Sequence, residues 1–316
     1  MKSPILRFLL VLAAGAIALV PSTTTRASDP GTLFARKNIA AWCIVPFDSL
    51  KRSPAQRAEM LERVGVTKVA YDWRAEHVPQ FEEEILEYKK HGLEYFAFWG
   101  AHEDAFKLFE KYNMHPQIWQ SAANPPADLD REAQIKKAAE QLLPRVERAR
   151  ALGCPFGIYN HGGWGGEPEN MVAVCEYLRK NHDAKHVGIV YNQHHGHSHV
   201  ARFKEALAAM VPYLICLNLD GMAPEGDKRG MKILPLSEGE HDLELLKIIA
   251  NSGYKGPIGI IGHTNHDVEK RLLDNLDGLD WLVPQIEGKP AGTKPAMRIS
   301  MLVKTPAPAP NATPAK

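Results

Sequence analysis

Histidine, asparagine and aspartate side chains recur in short polar runs, each of which follows an apolar stretch of the sequence. These runs stand at Asn160–His161, Asn192–His195, Asn218–Asp220 and Gly262–His263. Imidazole exchanges protons near neutral pH and binds divalent metals, while a carboxylate can act as a base. This pattern predicts proton-transfer chemistry, with or without a bound metal.

Tryptophan is concentrated beside the same runs, since five of the six tryptophans follow an apolar stretch. Flat apolar rings cover the C–H faces of a pyranose, and amides or carboxylates satisfy its hydroxyl groups. We therefore predict a sugar-binding cleft, against the alternative that the tryptophans only fill the core. The predicted substrate-binding residues are Trp42, Trp99, Trp119, Asn160, Trp164, Asn192 and Asn218.

Several side chains qualify as acids or bases, and each has a structural alternative. Asp72 could equally form an ion pair with Arg74, two residues away. Acidic residues just before Asp242 could cap the helix that is predicted to begin there. The predicted catalytic residues are Asp72, His161, Asp220, Glu238 and Glu240.

Other reaction and ligand classes lack their signatures. The chain has 38 Lys and Arg against 37 Asp and Glu and no basic stripe, which argues against a nucleic-acid partner. The glycine-rich segment Gly162–Gly166 lacks the Lys and Ser/Thr of a phosphate-binding loop. No Gly-x-Ser-x-Gly or His-Glu-x-x-His occurs, which disfavours serine hydrolases and zinc proteases.

Eight short apolar runs must position these residues, and each is apolar enough to be buried on both faces. They predict strands at Ile39–Val45, Lys68–Asp72, Glu94–Trp99, Pro116–Gln120, Phe156–Asn160, Val187–Asn192, Leu214–Leu219 and Ile258–Gly262.

A helical pattern follows each run. The helices are predicted at Ala55–Val64, Gln80–His91, Glu103–Tyr112, Asp130–Leu152, Glu169–Asn181, His199–Met210, Asp242–Ser252 and Val268–Val283, with C-terminal caps at Gly65, Gly92, Gly153 and Gly253.

Eight βα units predict an α/β protein with a single (β/α)₈ TIM barrel, whose chemistry lies at the C-terminal ends of the strands. An open doubly wound sheet is the alternative, but it usually carries a glycine-rich turn after its first strand. Here that turn reads Pro46-Phe47-Asp48-Ser49.

The two ends of the chain differ from the barrel in composition. Residues 1–28 combine Lys2 and Arg7 with the apolar run Phe8–Val20, which predicts a signal peptide and a periplasmic or secreted protein with no membrane span after cleavage. The alternative is an uncleaved N-terminal anchor. Residues 29–286 form the predicted barrel domain, and 287–316 form a Pro/Ala-rich tail predicted to be unstructured. The four cysteines are predicted to pack as buried thiols.

The strand ends together resemble the xylose-isomerase-like TIM barrel family of sugar isomerases and epimerases. The resemblance rests on the polar runs above and on the loop Ser237–Asp242, and it covers about residues 38 to 285. It implies a carbohydrate substrate and a divalent metal held mainly by carboxylates. At the matching positions, however, this chain has Tyr159, Asn192, Asn218 and Gly262 or His263.

The missing carboxylates leave two alternatives. Either imidazoles of His161, His195 and His263 hold the metal, with Asp220 or Asn192 assisting, or no metal is bound. Zinc or manganese would suit such ligands better than magnesium.

The sequence thus predicts an exported sugar isomerase or epimerase that moves a proton next to a carbonyl. A keto-glycoside lyase or hydrolase is the alternative within enzymes, since it begins with the same proton abstraction. A saccharide-binding barrel with a decayed metal site is the alternative outside them.

Overall fold

The structure, a computed structural model, describes residues 28–299. Eight parallel strands form a closed barrel in the order β1 to β8, with β1 paired to both β2 and β8. The strands are β1 Ile39–Trp42, β2 Lys68–Tyr71, β3 Glu94–Trp99, β4 Gln117–Gln120, β5 Phe156–Tyr159, β6 Val187–Asn192, β7 Leu214–Leu219 and β8 Ile258–Ile261. All eight predicted runs form strands, so the predicted (β/α)₈ barrel is confirmed.

A helix follows every strand and covers the outside of the barrel. The helices are α1 Pro54–Val64, α2 Phe81–Lys90, α3 Glu103–Tyr112, α4 Arg131–Ala151, α5 Pro168–Asn181, α6 Phe203–Met210, α7 Asp242–Asn251 and α8 Val268–Ile286. None of the helices between residues 28 and 299 is long and apolar enough to cross a membrane.

Glycines end several of these helices in the left-handed conformation. Gly65 has φ 78°, and Gly92, Gly153 and Gly253 have φ values of 65°, 67° and 82°. A side chain at such a position would strain the backbone, whereas glycine adopts it freely. The four predicted caps are confirmed, and each returns the chain towards the next strand.

Three helices start later than their sequence patterns predict: α2 and α4 by one residue, and α6 by four. A 3₁₀ helix, Ala75–Gln80, precedes α2, and another, His197–Arg202, precedes α6. Pro79 lies within the first and cannot donate an α-helical hydrogen bond. In the second, His199 is buried and its Nδ1 lies 3.0 Å from the Tyr191 hydroxyl, so this segment packs against β6.

Aromatic side chains fill the barrel interior, and a glycine in β5 makes room for them. Trp42, Phe96, Trp119 and Tyr159 form a buried cluster inside the barrel. A Cβ added to Gly157 of β5 would lie 3.0 Å from Trp119 Cδ1 and 2.5 Å from a Val190 methyl carbon. Glycine is therefore required at position 157 to make room for these side chains.

The chain ends were the subject of two predictions. The predicted signal peptide lies outside the described residues, apart from Ser28. Within the predicted tail, residues 287–299 are described, and two of their side chains contact the barrel domain. Arg298 contacts Asp274 at 3.0 Å, and Lys294 contacts Glu238 at 2.7 Å. The four cysteines are buried and form no disulfide.

Candidate functional site

A small cavity of about 60 Å³ lies at the C-terminal ends of the strands. Residues that directly follow β1, β2, β5, β6 and β8 form most of its wall. Its lining is Trp42, Cys43, Phe47, Asp72, Arg74, Trp99, Tyr159, His161, His194, His195, Ile261 and His263. This is the end of the barrel where TIM-barrel enzymes hold their active sites.

The aromatic and imidazole rings along this wall contact one another in succession. The Phe47 and His263 ring centroids are 3.7 Å apart, and His263 is 5.3 Å from His194. His194 is 4.1 Å from His195, which is 4.4 Å from His161. Four imidazoles therefore lie side by side at the entrance to the cavity.

The pKa values of these imidazoles are lowered, so the rings are neutral at neutral pH. Burial is the main cause at each: it lowers the pKa of His195 to about 2 and that of His263 to about 4, with the nearby imidazoles adding to the effect. Burial also lowers the pKa of His161 and His194. A neutral imidazole offers one N–H donor and one acceptor.

Asp72 is the carboxylate of the cavity, and its side chain is buried. Burial raises the pKa of Asp72 to about 6, although the Arg74 guanidinium and the backbone amides of Asp72 and Val45 favour the charged form. The Asp72 oxygens have no hydrogen-bond partner of good geometry in the described chain, although the Cys43 thiol and the two amides lie close to them. Asp72 is thus a buried base whose pKa lies near neutral pH.

Cys43 lines the cavity beside Asp72 in an unusual backbone conformation. It follows β1 with φ 58°, in the left-handed region that non-glycine residues rarely adopt. Burial, reinforced by the Asp72 carboxylate, raises the pKa of the Cys43 thiol well above its usual range. The thiol is therefore protonated at neutral pH.

The floor of the cavity is a hydrogen-bonded layer around Tyr159. The Trp42 indole donates to the Tyr159 hydroxyl at 3.2 Å, and Asn192 Nδ2 donates to the same oxygen. The Asn160 side chain bonds the Asn192 backbone on both sides, with distances of 2.6 and 3.0 Å. Amide and phenol groups thus stabilise the strand ends. At these positions, the resemblance to xylose-isomerase-like barrels implies metal-binding carboxylates.

The remaining predicted site residues are distributed unevenly. Trp119 is completely buried inside the barrel, where its indole donates to Gln117 at 2.8 Å. Asn218 and Asp220 are also buried, and they do not line the cavity. Burial and the nearby Asp242 raise the pKa of Asp220, and its carboxylate has no hydrogen-bond partner among the described residues.

Three predicted residues lie away from the cavity. Glu238 and Glu240 are exposed in the loop before α7, and Glu238 pairs with Lys294. Trp164 packs against the outer core, and its carbonyl accepts a hydrogen bond from Asn170 at 2.9 Å. None of the three lines the cavity.

The predicted metal ligands do meet, but not as a cage. His161, His195 and His263 all line the cavity. Within residues 28–299, however, no three His, Cys, Asp or Glu side chains are arranged so that they could hold a metal ion together. The imidazoles lie in a row along the wall, tilted to one another, so the side chains as placed do not fit a preformed metal site.

Six cavity residues were not predicted as site residues: Cys43, Phe47, Arg74, Tyr159, His194 and Ile261. His194 carried a signal, since it lies beside His195 in the run that follows β6. Arg74 carried one too, because it lies two residues beyond Asp72 and so shares its side of an extended chain. Cys43 carried none beyond its position after β1.

A second, larger cavity lies elsewhere. It measures about 300 Å³ and lies at the opposite end of the barrel, where Leu93, Glu94 and Pro116 precede or begin β3 and β4. Its one histidine, His115, bonds the Leu152 carbonyl at 2.7 Å. It lacks the grouped bases and donors of the smaller cavity.

Comparison by sequence gives no relatives: no protein family and no curated protein matches the chain. Comparison by structure gives barrels. A 3-keto-D-glucoside 4-epimerase from E. coli has a TM-score of 0.57 and 14% identity, over 78% of this chain and 98% of that one. A probable 3-DHS dehydratase from Bacillus anthracis has a TM-score of 0.60 and 12% identity, over 77% and 98%.

A third similar structure is a xylose isomerase-like TIM barrel protein from Mycobacterium smegmatis in complex with magnesium. It has a TM-score of 0.52 and 14% identity, over 78% of this chain and 97% of that one. The matches cover nearly the whole length of these proteins and most of the barrel described here. The chain therefore has the fold of the xylose isomerase-like TIM barrel proteins.

Proposed function

We propose that the protein is an isomerase or epimerase that moves a proton on the carbon next to a sugar carbonyl. One observation carries the proposal: Asp72, a buried carboxylate with a pKa of about 6, shares a cavity with neutral imidazoles. A base is most effective when its pKa lies near the working pH. The epimerase among the similar structures supports the same class of reaction.

In the proposed reaction, the Asp72 carboxylate takes the proton from the carbon beside the carbonyl. The C–H electron pair becomes the new C=C bond of an enediolate, and the carbonyl oxygen gains the negative charge. Imidazole N–H groups of His161, His195 or His263 donate hydrogen bonds to that oxygen. Donors that are fixed in place before the reaction stabilise such a charge without reorganising.

Return of the proton completes the reaction. Delivery to the opposite face of the same carbon inverts the centre, and delivery to the former carbonyl carbon moves the carbonyl along the chain. Trp42 and Trp99 line the cavity with apolar surface that would pack on the sugar and exclude water.

A keto-glycoside lyase is the second candidate, and the dehydratase among the similar structures favours it. The first step is unchanged, but the electron pair of the enediolate then expels a group from the next carbon. An imidazole N–H would hydrogen-bond to the departing oxygen. We further propose, from the predicted signal peptide, that either reaction takes place outside the cytoplasm.

The test is exchange of solvent deuterium into a panel of aldoses, ketoses and 3-keto-glycosides. Asp72→Asn should lower the exchange rate by about a hundredfold or more, because it removes the base. Asp104→Asn, an exposed carboxylate whose side chain is 60% accessible, is the control and should retain the rate. Wild-type exchange should rise with pH through about 6 as Asp72 loses its proton.

Two results would separate the alternatives. Formation of an unsaturated sugar together with a released leaving group would identify a lyase. A wild type that binds a sugar yet exchanges no deuterium would contradict catalysis and leave a binding barrel. Elemental analysis, together with exchange measured after treatment with a chelator, tests the predicted zinc or manganese.

A further inference from the structure

Arg74 is a cation in the cavity wall that has no carboxylate partner. Its Nη1 donates to the Trp73 carbonyl at 2.7 Å, and its guanidinium lies 5.3 Å from the centre of the Phe47 ring. Asp72 is close enough to feel its charge, but its two oxygens have no hydrogen-bond partner among the described residues. The Asp72–Arg74 ion pair, which was the structural alternative for Asp72, is therefore not formed.

The contacts of Arg74 hold the guanidinium in place and leave part of it available. No described acceptor bonds its Nε or Nη2. These two nitrogens form the edge of the guanidinium that matches the two oxygens of a carboxylate. A half-buried arginine with a fixed plane and an unused edge is built to bind an oxyanion.

A second cation lies at the rim. Lys232 is exposed in the loop between β7 and α7, next to Ile233, which packs in the same buried cluster as Trp42 and Tyr159 of the cavity. The Lys232 charge also contributes to the lowered pKa of all four cavity imidazoles. The His197 ring bonds the Lys232 carbonyl at 2.9 Å and fixes that part of the loop. Lys232, like Arg74, has no ion-pair partner in the described chain.

Acidic groups near the cavity balance these cations only in part. Asp72 is the one carboxylate in the lining, and with a pKa of about 6 it is mostly charged at neutral pH and offsets one of the two cations. Asp220 is a second buried carboxylate, and burial and Asp242 raise its pKa well above the usual range. Arg74, Lys232 and Asp72 together therefore leave a positive charge in excess for a ligand to meet.

We propose that the sugar bound by this protein carries a carboxylate, which Arg74 binds through its free edge and Lys232 attracts from the rim. The proposal rests on the proposed function for its sugar, and it adds the acidic group. A carboxylate is favoured over a phosphate because no glycine-rich backbone loop lines the cavity. Hexuronates and related sugar acids belong to this class.

The experiment is calorimetric titration of the full-length protein with three hexuronates, D-glucuronate, D-galacturonate and D-mannuronate, each against its neutral hexose. At least one uronate should bind about tenfold more tightly than its hexose, as expected for a charge-assisted hydrogen bond. High salt should weaken that preference. Glucose 6-phosphate, titrated in parallel, tests the phosphate alternative.

Variants assign the preference to residues. Arg74→Gln should abolish it, whereas Arg74→Lys should retain a part, since the charge stays and the fork is lost. Lys232→Gln should lower the association rate, and Lys228→Gln is its control, because Lys228 lies in the same loop but pairs with Glu225. Thermal unfolding confirms that each variant is folded; if Arg74→Gln is not, Arg74→Lys and the salt dependence decide.

The proposal is overturned if no uronate binds more tightly than its hexose, if the preference survives in Arg74→Gln, or if glucose 6-phosphate binds as tightly as the best uronate. Its failure differs from that of the proposed function. If deuterium exchanges only into neutral sugars, the proposed acidic ligand is contradicted and the proposed isomerase function stands. If a uronate binds tightly but no sugar exchanges deuterium, the acidic ligand stands and the isomerase function is contradicted.

Discussion

At the scale of the residue, the raised pKa of Asp72 suits its proposed role as a base and lowers the free energy of unfolding at neutral pH. Its pKa in the folded protein, about 6, lies above the ordinary value of 3.8. The folded state therefore holds this proton more tightly than the unfolded state. The contribution of Asp72 to stability is greatest below about pH 4, falls as the pH rises to about 6, and stays at its lower level above that.

Asp72→Asn should for this reason stabilise the protein at alkaline pH while it removes activity. A shift of about two pKa units corresponds to about 3 kcal/mol, so we expect a gain of about 1–3 kcal/mol at pH 8 and almost none at pH 4. Urea denaturation at the two pH values measures both quantities. An equal change at both, or a loss at pH 8, would contradict the raised pKa.

Residue types allowed Asp72 and three of the cavity histidines to be predicted, because each directly follows an apolar strand. Trp119 was predicted to bind substrate, and the structure places it fully buried inside the barrel; the alternation along β4 is too short to tell an inward side chain from one at the rim. An ion pair with Arg74 was the structural alternative for Asp72, because the sequence cannot show that the guanidinium bonds the Trp73 carbonyl and lies near Phe47.

At the scale of the element, the Asn218 side chain of β7 lies over Gly259, its partner in β8. A Cβ on Gly259 would lie 1.7 Å from Asn218 Oδ1 and 2.8 Å from Asn218 Cγ. Glycine at position 259 therefore makes room for the buried Asn218 side chain.

Gly259→Ala should displace the Asn218 side chain and destabilise the protein by about 1–3 kcal/mol, the usual cost of overpacking. Gly292→Ala is the control, since nothing lies within 4 Å of the added Cβ. Thermal unfolding reads the effect, and a Gly259→Ala variant as stable as the control would contradict this packing.

Strand positions were predictable from sequence because every buried parallel strand is a continuous apolar run between polar loops. Helix starts were less so. The segment before α6 contains His199, whose bond to Tyr191 and whose 3.4 Å contact with Glu167 involve residues distant in the sequence. Such tertiary contacts select a 3₁₀ turn where local pattern favours an α-helix.

At the scale of the whole molecule, a segment from beyond the last helix packs back onto that helix. Asp274 in α8 is buried, accepts hydrogen bonds from the backbone amides of Arg298 and Ile299 at 2.8 and 3.0 Å, and pairs with the Arg298 guanidinium. Composition alone predicted an unpacked tail from residue 287. It could not show these contacts, which depend on a carboxylate 24 residues earlier.

A chain that ends at Ile286 should be less stable by about 2–4 kcal/mol, because Asp274 would lose partners while remaining buried. A chain that ends at Ser300 keeps those partners and is the matched control. Urea denaturation compares the two. Equal unfolding midpoints would show that residues 287–299 add nothing to the stability of the barrel.

The aromatic filling of the barrel gives the protein an optical property. The Trp42 ring centroid lies 5.0 Å from Trp119 and 5.9 Å from Trp99, and Trp42 and Trp99 both face the cavity. Indoles this close share their electronic excitation, so a molecule that enters the cavity changes the absorption and emission of the group as a unit. The protein thus carries a built-in chromophore at the very place where its ligand would bind.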